Sequence, residues 1–405
     1  TKPTDPTNSV GAAFLGWYRA DGTAYDFTQT VTENITLTAR FAAVTRKVET
    51  EEELTAALAD DTVDVIKLGS DIAIDATLIV DRTVILDLVG YMLEMTGSGS
   101  VIVVKDGGHL TLEDSDLTAT YYFTPDADGL WKWGNSGTKT VNGGVIYGGT
   151  GTNMYYFTRG GGVYIEGGGQ FTMNGGSIVG CSADSGGGVV VACVDANGTF
   201  TMNGGAIIGC VADSGGGVET DGGGVGEFGT FIMNGGVIDS CVATDGMGGG
   251  VYASEPFTMG KAAAITNCKA SKEGSGVFLG NSESPHTLNG TITSEDANDG
   301  DYIFANNAQV TIGANAKINA NITLAGGTIA LADGVTSATV YGKITNDNYG
   351  GDSGFVDGLV TVTYNIKGTD YATQILRSGS AATKPTDPTN SVGAAFLGWY
   401  RDDGT

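Results

Sequence analysis

An eight-residue pattern of apolar and polar positions recurs along the middle of the chain. It reads Phe171-Thr-Met-Asn-Gly-Gly-Ser-Ile178, returns at Phe200 and Phe231, and begins more weakly at Phe257. Its Phe and Met stand two positions apart and so share one face of a strand, and the Gly-Gly that follows disfavours a helix. Repeats of this length indicate stacked units, so each copy is predicted to form one coil of short β-strands.

Equivalent residues of successive coils are expected to form ladders at the strand spacing of about 4.8 Å. The apolar positions and the cysteine after each copy are predicted to point inward, whereas the asparagines are predicted to stack at a turn, amide on amide. The predicted ladders are Phe171, Phe200, Phe231 and Phe257; Met173, Met202, Met233 and Met259; Ile178, Ile207, Ile238 and Ile265; Cys181, Cys210, Cys241 and Cys268; and Asn174, Asn203 and Asn234.

The F-T-M-N-G-G-x-I and G-G-G-V copies resemble the right-handed parallel β-helix of bacterial surface proteins and autotransporter passengers. The resemblance covers roughly residues 62–348 and implies an all-β solenoid, which we predict over residues 46–348. Thr50 and Glu53 form a capping box that predicts a short helix near residues 50–59, covering the open edge of the first coil. The resemblance does not specify an activity, because adhesins, stalks and polysaccharide-cleaving enzymes share the same fold.

The two ends of the chain are near copies of each other. Residues 1–23 and 383–405 are identical except for Ala20 against Asp402. The segment that includes Phe14-Leu-Gly-Trp-Tyr18 resembles the second half of a Listeria–Bacteroides repeat, an internalin B-type, β-grasp-like module of bacterial surfaces. The segment that includes Val360-Thr-Val-Thr-Tyr364, near the other end of the chain, resembles the first half of the same module. We therefore predict partial modules at residues 1–45 and 359–405, and we expect the chain to be one period of a longer tandem array.

The net charge of the chain limits the partners and the cellular location that we expect for the protein. The formal net charge is −26, with only 20 Lys plus Arg, which argues against a nucleic-acid-binding surface. No apolar run is long enough to span a membrane as a helix. Together with the surface-type modules, this predicts an extracellular protein of the bacterial cell surface.

The five cysteines are predicted to be free thiols. Four of them share one ladder position, where their side chains point in parallel, and a disulfide needs a turned geometry. Buried thiols of this kind act as small hydrophobic residues. Cys193 lies off the ladder, and with no C-x-x-C motif and only His109 and His286, no cysteine- or histidine-based metal centre is expected.

Catalysis is not expected, and no catalytic residue or cofactor is assigned. Residues 160–260 contain no Lys, Arg or His, which removes the base that a polysaccharide lyase needs. Asp184, Asp213 and Asp245 fall near one ladder position, where a hydrolase could use paired carboxylates. Their Gly-rich flanks favour turn residues instead. Stacked carboxylates repel one another, so a weak calcium site is the third alternative for these three residues.

An aromatic group interrupts the repeats and is predicted to lie on loops thrown out from adjacent coils. These loops could form a platform for a sugar or a protein partner, or they could pack on the coil wall and hide its apolar face. The residues concerned are Tyr121, Tyr122, Trp131, Trp133, Tyr155 and Tyr156.

These observations predict a structural and adhesive repeat unit of a large bacterial cell-surface protein or extracellular fibre. The solenoid would be a stiff rod, joined head-to-tail by the small modules. The predicted partners are further copies of the unit, and we also consider surface glycans and host proteins. The alternative function is a polysaccharide-binding or polysaccharide-cleaving protein on the same fold.

Overall fold

The structure is a computed structural model that describes residues 2–7, 12–154, 156–192, 196–220, 229–280, 285–294, 301–346, 355, 359–366, 369–388 and 399. The described chain is mostly β-strand with parallel sheets, and it contains a single α-helix, as the sequence predicts at this level. The first elements are β1 (Phe14–Tyr18), β2 (Thr38–Phe41), β3 (Thr45–Val48) and α1 (Glu51–Ala59).

The helix α1 lies where the capping box predicts it. The Thr50 hydroxyl accepts a hydrogen bond from the backbone N–H of Glu53 at 3.3 Å. The Glu53 carboxylate reaches back to the N–H of Glu49 at 2.8 Å, one residue earlier than in the usual box. Leu54 and Leu58 are buried, so the helix covers apolar surface at this end of the sheets.

After α1 the chain passes repeatedly through the same strand positions, and one passage is called a coil. Strand β4 pairs with β7, and β7 pairs with β10, each time in parallel. Two antiparallel insertions, β11–β13 and β15–β16, then leave the coils. The elements are β4 (Val65–Leu68), β5 (Ile72–Ile74), β6 (Leu78–Val80), β7 (Thr83–Asp87), β8 (Met92–Met95), β9 (Ile102–Val104), β10 (His109–Glu113), β11 (Thr120–Pro125), β12 (Trp131–Gly134), β13 (Lys139–Asn142), β14 (Val145–Tyr147), β15 (Thr152–Met154) and β16 (Phe157–Arg159).

The most regular coils contain the repeated motif. Two of their strands, β26 and β29, are ten residues long and join neighbouring strand positions into one sheet. The elements are β17 (Val163–Ile165), β18 (Gln170–Met173), β19 (Ser177–Val179), β20 (Ser182–Ser185), β21 (Val189–Val191), β22 (Thr199–Met202), β23 (Ala206–Ile208), β24 (Val211–Ser214), β25 (Val218–Thr220), β26 (Thr230–Asp239), β27 (Val242–Ala243), β28 (Val251–Ala253), β29 (Phe257–Thr266), β30 (Lys269–Ala270) and β31 (Val277–Leu279).

The last coils end in an antiparallel hairpin. Strand β42 pairs with β41, and on its other side it pairs antiparallel with β39 of the final coil. The elements are β32 (His286–Leu288), β33 (Thr291–Thr293), β34 (Ile303–Asn306), β35 (Gln309–Ile312), β36 (Lys317–Asn319), β37 (Ile322–Ala325), β38 (Thr328–Leu331), β39 (Ser337–Val340), β40 (Ile344–Asn346), β41 (Leu359–Ile366) and β42 (Thr369–Arg377).

The parallel strands fall into four columns that run along the stack of coils. The first and second columns belong to one sheet, whereas the third and fourth are separate sheets. The first is β3, β4, β7, β10, β18, β22, β26, β29, β32, β35 and β38; the second is β5, β8, β14, β19, β23, β26, β29, β33, β36 and β39; the third is β16, β20, β24, β27 and β30; the fourth is β6, β9, β17, β21, β25, β28, β31, β34, β37 and β40.

The phenylalanine ladder lies inside the first column. Phe171 pairs with Phe200, Phe200 with Phe231, and Phe231 with Phe257. Their rings stack with centroids 5.0, 4.9 and 5.1 Å apart, and all four side chains are buried. Because strand alternation puts residues i and i+2 on one face, the same register also aligns the methionines, and the isoleucines align in the second column.

We predict that Met202→Asp destabilises the protein, because it buries a carboxylate with no partner in the centre of the stack. The expected cost is about 3–5 kcal/mol, which lowers the melting temperature by on the order of 5–10 °C. Thr201→Asp is the matched control, because Thr201 is adjacent on the outward face of the same strand. Thermal melting followed by circular dichroism measures both, and equal melting temperatures would contradict the inward assignment.

Candidate functional site

The asparagine ladder lies at an exposed corner between the first and second columns. The side-chain amide of Asn203 donates to the carbonyl oxygen of Asn174 at 2.9 Å, and that of Asn234 donates to Asn203 at 2.8 Å. A glycine two residues later takes a positive φ, as at Gly176 (73°) and Gly205 (77°), so the corner needs a residue without a Cβ. The ladder stabilises the turn, and its side-chain amides form hydrogen bonds with one another along the stack.

The four ladder cysteines are buried and free. The Cys181 thiol donates to the backbone carbonyl of Val179 at 3.5 Å, and the later thiols make similar contacts. Burial raises the pKa of Cys181, Cys210 and Cys241 well above the usual range, which disfavours the reactive thiolate. These thiols therefore fill the core, whereas Cys193 lies outside the described residues.

Two of the three aspartates bond to neighbouring coils, and the register places Thr244, not Asp245, opposite Asp213. The Asp184 carboxylate accepts from the backbone N–H of Thr158 at 2.6 Å and from its hydroxyl at 3.1 Å. Asp213 accepts from the Thr244 hydroxyl at 3.3 Å, and the Asp245 side chain is exposed. The described part of the chain holds no group of three or more His, Cys, Asp or Glu that could bind a metal ion. The weak calcium site suggested for these three aspartates stays a prediction, beside the inter-coil contacts that Asp184 and Asp213 make.

The aromatic insertion β11–β13 packs on the coil wall through one of its faces. Phe123 and Trp131 are buried there, and the backbone N–H of Trp131 donates to the backbone carbonyl of Gly209 at 3.0 Å. A Cβ on Gly209 would come 2.1 Å from the Trp131 ring, so the wall needs glycine at this contact. Trp131 is thus removed from the predicted platform, because its ring covers the outside of a later coil.

The remaining platform residues do not share one surface. Trp133 pairs with Phe123 on the wall-facing side but is still 42% exposed, whereas Tyr122 points to the opposite face by strand alternation. The Tyr121 hydroxyl donates to Asp71 at 2.7 Å, and burial, together with that bond, raises its pKa. Tyr156 is 92% exposed at the tip of the β15–β16 hairpin, and Tyr155 lies outside the described residues. Tyr122 and Tyr156 are therefore separate exposed rings.

A groove of about 350 Å³ lies where β36 and β39 diverge near the end of the stack. Its lining residues fall within 313–319 and 337–341, and Lys317 is the charged one among them. The lining includes no carboxylate and no imidazole, so the pair of acids that glycoside hydrolysis uses is not supplied there.

His286 occupies a core position that the sequence pattern missed. Its neighbours Thr287 and Leu288 pair with Thr258 and Met259, which puts His286 in line with the phenylalanine ladder. Its Nδ1 accepts from the N–H of Phe257 at 3.2 Å, and its Nε2 lies 2.9 Å from the carbonyl oxygen of Gly280. Burial lowers the pKa of His286. A weak signal was present in the sequence, because His286-Thr-Leu-Asn-Gly290 stands 29 residues after Phe257 and follows the Phe-Thr-Met-Asn-Gly pattern with His in the place of Phe.

The C-terminal hairpin β41–β42, together with Tyr341 directly after β39, forms a socket for the segment that follows the hairpin. We define this aromatic socket as Tyr341, Tyr364, Tyr371 and Gln374. The Trp399 ring stacks on Tyr371 at 5.6 Å and meets Tyr364 edge-on at 5.1 Å between centroids. These contacts bring the last described residue of the chain back onto the hairpin.

Hydrogen bonds hold the start of the same segment in the aromatic socket. The N–H of Thr383 donates to the Gln374 side chain at 2.9 Å, and the Tyr364 hydroxyl donates to the Thr383 carbonyl at 3.1 Å. The Tyr371 hydroxyl donates to the Thr386 carbonyl at 3.1 Å. The Thr386 N–H donates to the Tyr341 hydroxyl, also at 3.1 Å.

Comparison with known proteins gives a family match at the two ends of the chain. A family model described as the Listeria-Bacteroides repeat domain matches residues 1–40 and 361–405, which confirms the predicted resemblance there. Repeats of this family are typical of extracellular proteins of the bacterial surface. Comparisons with curated proteins and with solved structures found no match. Within the described residues, no helix is both long and apolar enough to cross a membrane.

We predict that all five cysteines titrate as free thiols in the denatured, unreduced protein. In the native protein Cys181, Cys210 and Cys241 should react slowly, because burial disfavours their thiolates, and Cys268 should react slowly because its side chain is buried from the reagent. A chromogenic thiol reagent with and without denaturant measures both. Cys193→Ser is the control and should lower the denatured count by one, whereas a wild-type count of three or one would reveal disulfides.

We also predict that His286 makes stability fall as the pH drops below about 6.5. The unfolded chain then binds a proton that the buried imidazole of the folded chain resists, so the unfolded state binds more protons. The contribution of this group is up to about 1.4 kcal/mol per pH unit until its lowered folded pKa is reached.

Urea unfolding between pH 7.5 and 5.5 tests the histidine prediction. His286→Gln keeps a donor and an acceptor but cannot titrate, so its pH slope should be shallower than that of the wild type. His109→Gln removes the other imidazole and is the matched control. Equal slopes for all three proteins would show that His286 does not carry the effect.

Proposed function

We propose that the four columns form a right-handed parallel β-helix solenoid. On this proposal the chain is a structural and adhesive repeat unit of a large bacterial cell-surface protein or extracellular fibre. The observation that carries it is the register: inward residues meet coil after coil in the first column, and in its four central coils they are the same Phe and Met residues. Such stacks contact only their neighbours and grow in one dimension, which suits a rod.

The dimensions of the stack fit this role. The eleven strands of the first column, spaced by about 4.8 Å, make a rod on the order of 50 Å long. One end is covered by α1, and the other continues into the hairpin that carries the second family match. A small module therefore follows directly on the rod, as a head-to-tail arrangement needs.

The proposed role is mechanical and adhesive, without catalysis. The inward positions are occupied by the apolar ladders, and the Asp184 and Asp213 carboxylates bond to neighbouring coils. Exposed rings such as Tyr122 and Tyr156 stand on the two insertions, where surface glycans or host proteins are the partners we propose. A polysaccharide-cleaving function is the alternative, and product release from acidic glycans would favour it.

Imaging tests the proposed rod. Polypeptides carrying one, two or three consecutive 382-residue periods would be compared by negative-stain electron microscopy and small-angle scattering. The expected maximum dimension increases by the same amount with each copy, and beads repeat along one axis. The same polypeptides with Met202→Asp in every copy provide a control for loss of the stack. Particles that grow equally in all directions would contradict a head-to-tail rod.

A further inference from the structure

The outward side of the first column carries a ladder of its own. Strand alternation turns the residue between two inward side chains to the outside of the stack. In successive strands these outward residues pair with one another, so they stand in one unbroken row. Threonine occupies all but one of the central positions of the row, which are Thr172, Thr201, Ile232, Thr258, Thr287 and Thr311.

The hydroxyl groups of this row are available to a partner outside the stack. Thr258 is exposed, and the other central members of the row are half-buried. Among the described residues, no hydrogen bond uses the side chains of Thr201, Thr258, Thr287 or Thr311. Because a β-branched side chain has a restricted χ1, the row presents its hydroxyl and methyl groups as a stiff array.

The surface around the row is uncharged. We define the threonine face as the outward residues of β18, β22, β32, β35 and β38, together with those of 230–233 in β26 and 257–259 in β29. These described positions hold Thr, Gln, Ile and Ala, and none of them is Asp, Glu, Lys or Arg. The outward side of the third column differs, because it includes Asp184, Asp213 and Lys269. The threonine face is thus an uncharged sheet surface on a chain of net charge −26.

We propose that the threonine faces of two copies of this chain pack against each other and join the two stacks of coils side by side. Charge favours a second copy as the partner, because this contact brings no acidic side chain against another, whereas contact through acidic faces places like charges together. Spacing favours it too. A second copy has the same distance between coils, so matching rows meet in register, as in the paired sheets of a steric zipper.

The size of the threonine face suits a weak contact. Its seven strands at about 4.8 Å, each about four residues long at about 3.3 Å per residue, cover roughly 450 Å² as a flat projection. A pair therefore buries on the order of 900 Å², at the weak end of specific interfaces. Copies linked in tandem would add such contacts along two neighbouring chains. The inference concerns a single unit and does not depend on the head-to-tail rod.

The symmetry of the pair identifies the position to test. Two identical faces meet about a twofold axis. Strand β29 is the middle strand of the threonine face. Full overlap of the two rows therefore puts Thr258 of one copy opposite Thr258 of the other, whether the stacks run in the same or in opposite directions. Because Thr258 is exposed, a substitution there leaves the inward ladders unchanged.

Sedimentation equilibrium of the full chain, at protein concentrations up to about 0.5 mM, tests the inference. The wild type and Thr258→Ser should form a reversible dimer. Thr258→Glu and Thr258→Lys should each weaken this dimer at least about thirtyfold, because like charges then meet at its centre. Thr140→Glu adds a charge at an exposed position of the insertion and should dimerise as the wild type does.

Mixing the two charged variants gives the sharpest outcome. An equal mixture of Thr258→Glu and Thr258→Lys should dimerise at least as tightly as the wild type, because opposite charges then face each other. A loss of folding in either variant would not restore association in this way. A mixture that stays monomeric while both variants keep native circular dichroism would overturn the inference.

The salt dependence of the wild type needs no variant. Raising NaCl from about 50 to about 500 mM should tighten the dimer at least about threefold, because salt screens the repulsion between two acidic chains. Weaker association at high salt, or a monomer at every salt concentration, would overturn the inference. A monomeric wild type that cosediments with an insoluble neutral glucan, where Thr258→Glu does not, would assign the face to a polysaccharide instead. In each case, linear growth of the multi-copy polypeptides would leave the proposed rod standing.

Discussion

The backbone hydrogen bonds between successive coils depend on one constraint, which is that every coil keeps the register of the coil before it. A slip of one residue would turn each apolar side chain of a strand to the outside. The stacked Phe171 and Phe200 rings, the paired methionines and the asparagine amides all require the same register. The ladders therefore reinforce one another, and one repeated motif specifies a stack of many coils.

A stack of parallel strands has two open ends, and unpaired strands invite association. At the N-terminal end, α1 covers the first coils, and Arg82 donates to the carbonyls of Ala57 and Leu58 at the end of that helix. At the other end the hairpin β41–β42 takes the edge strand β39 into an antiparallel pair. One end is closed by a helix, and the other is extended into a binding socket, so the two ends have different roles.

The aromatic features that could recognise another molecule lie away from the regular coils. The ladder thiols are buried, and the aspartates of the turns bond to neighbouring coils. Exposed rings occur on the insertions, and the aromatic socket lies on the terminal hairpin. On the proposed function, the regular part of the chain would supply length and stiffness, and the irregular parts would supply contacts. This division agrees with family matches that fall at the two ends.

The sequence by itself determined the strand type, the ladder residues, the helix cap and the family resemblance of both ends. These follow from local rules, because a repeated motif repeats its own surroundings. Other features were decided by tertiary structure alone. Trp131 lies against Gly209, and Pro385 is buried where Pro3 is exposed. In each case the residue that determines the packing is distant in the sequence or lies outside the repeated motif. Identical residues at the two ends have different burial because only one copy is seated against the hairpin.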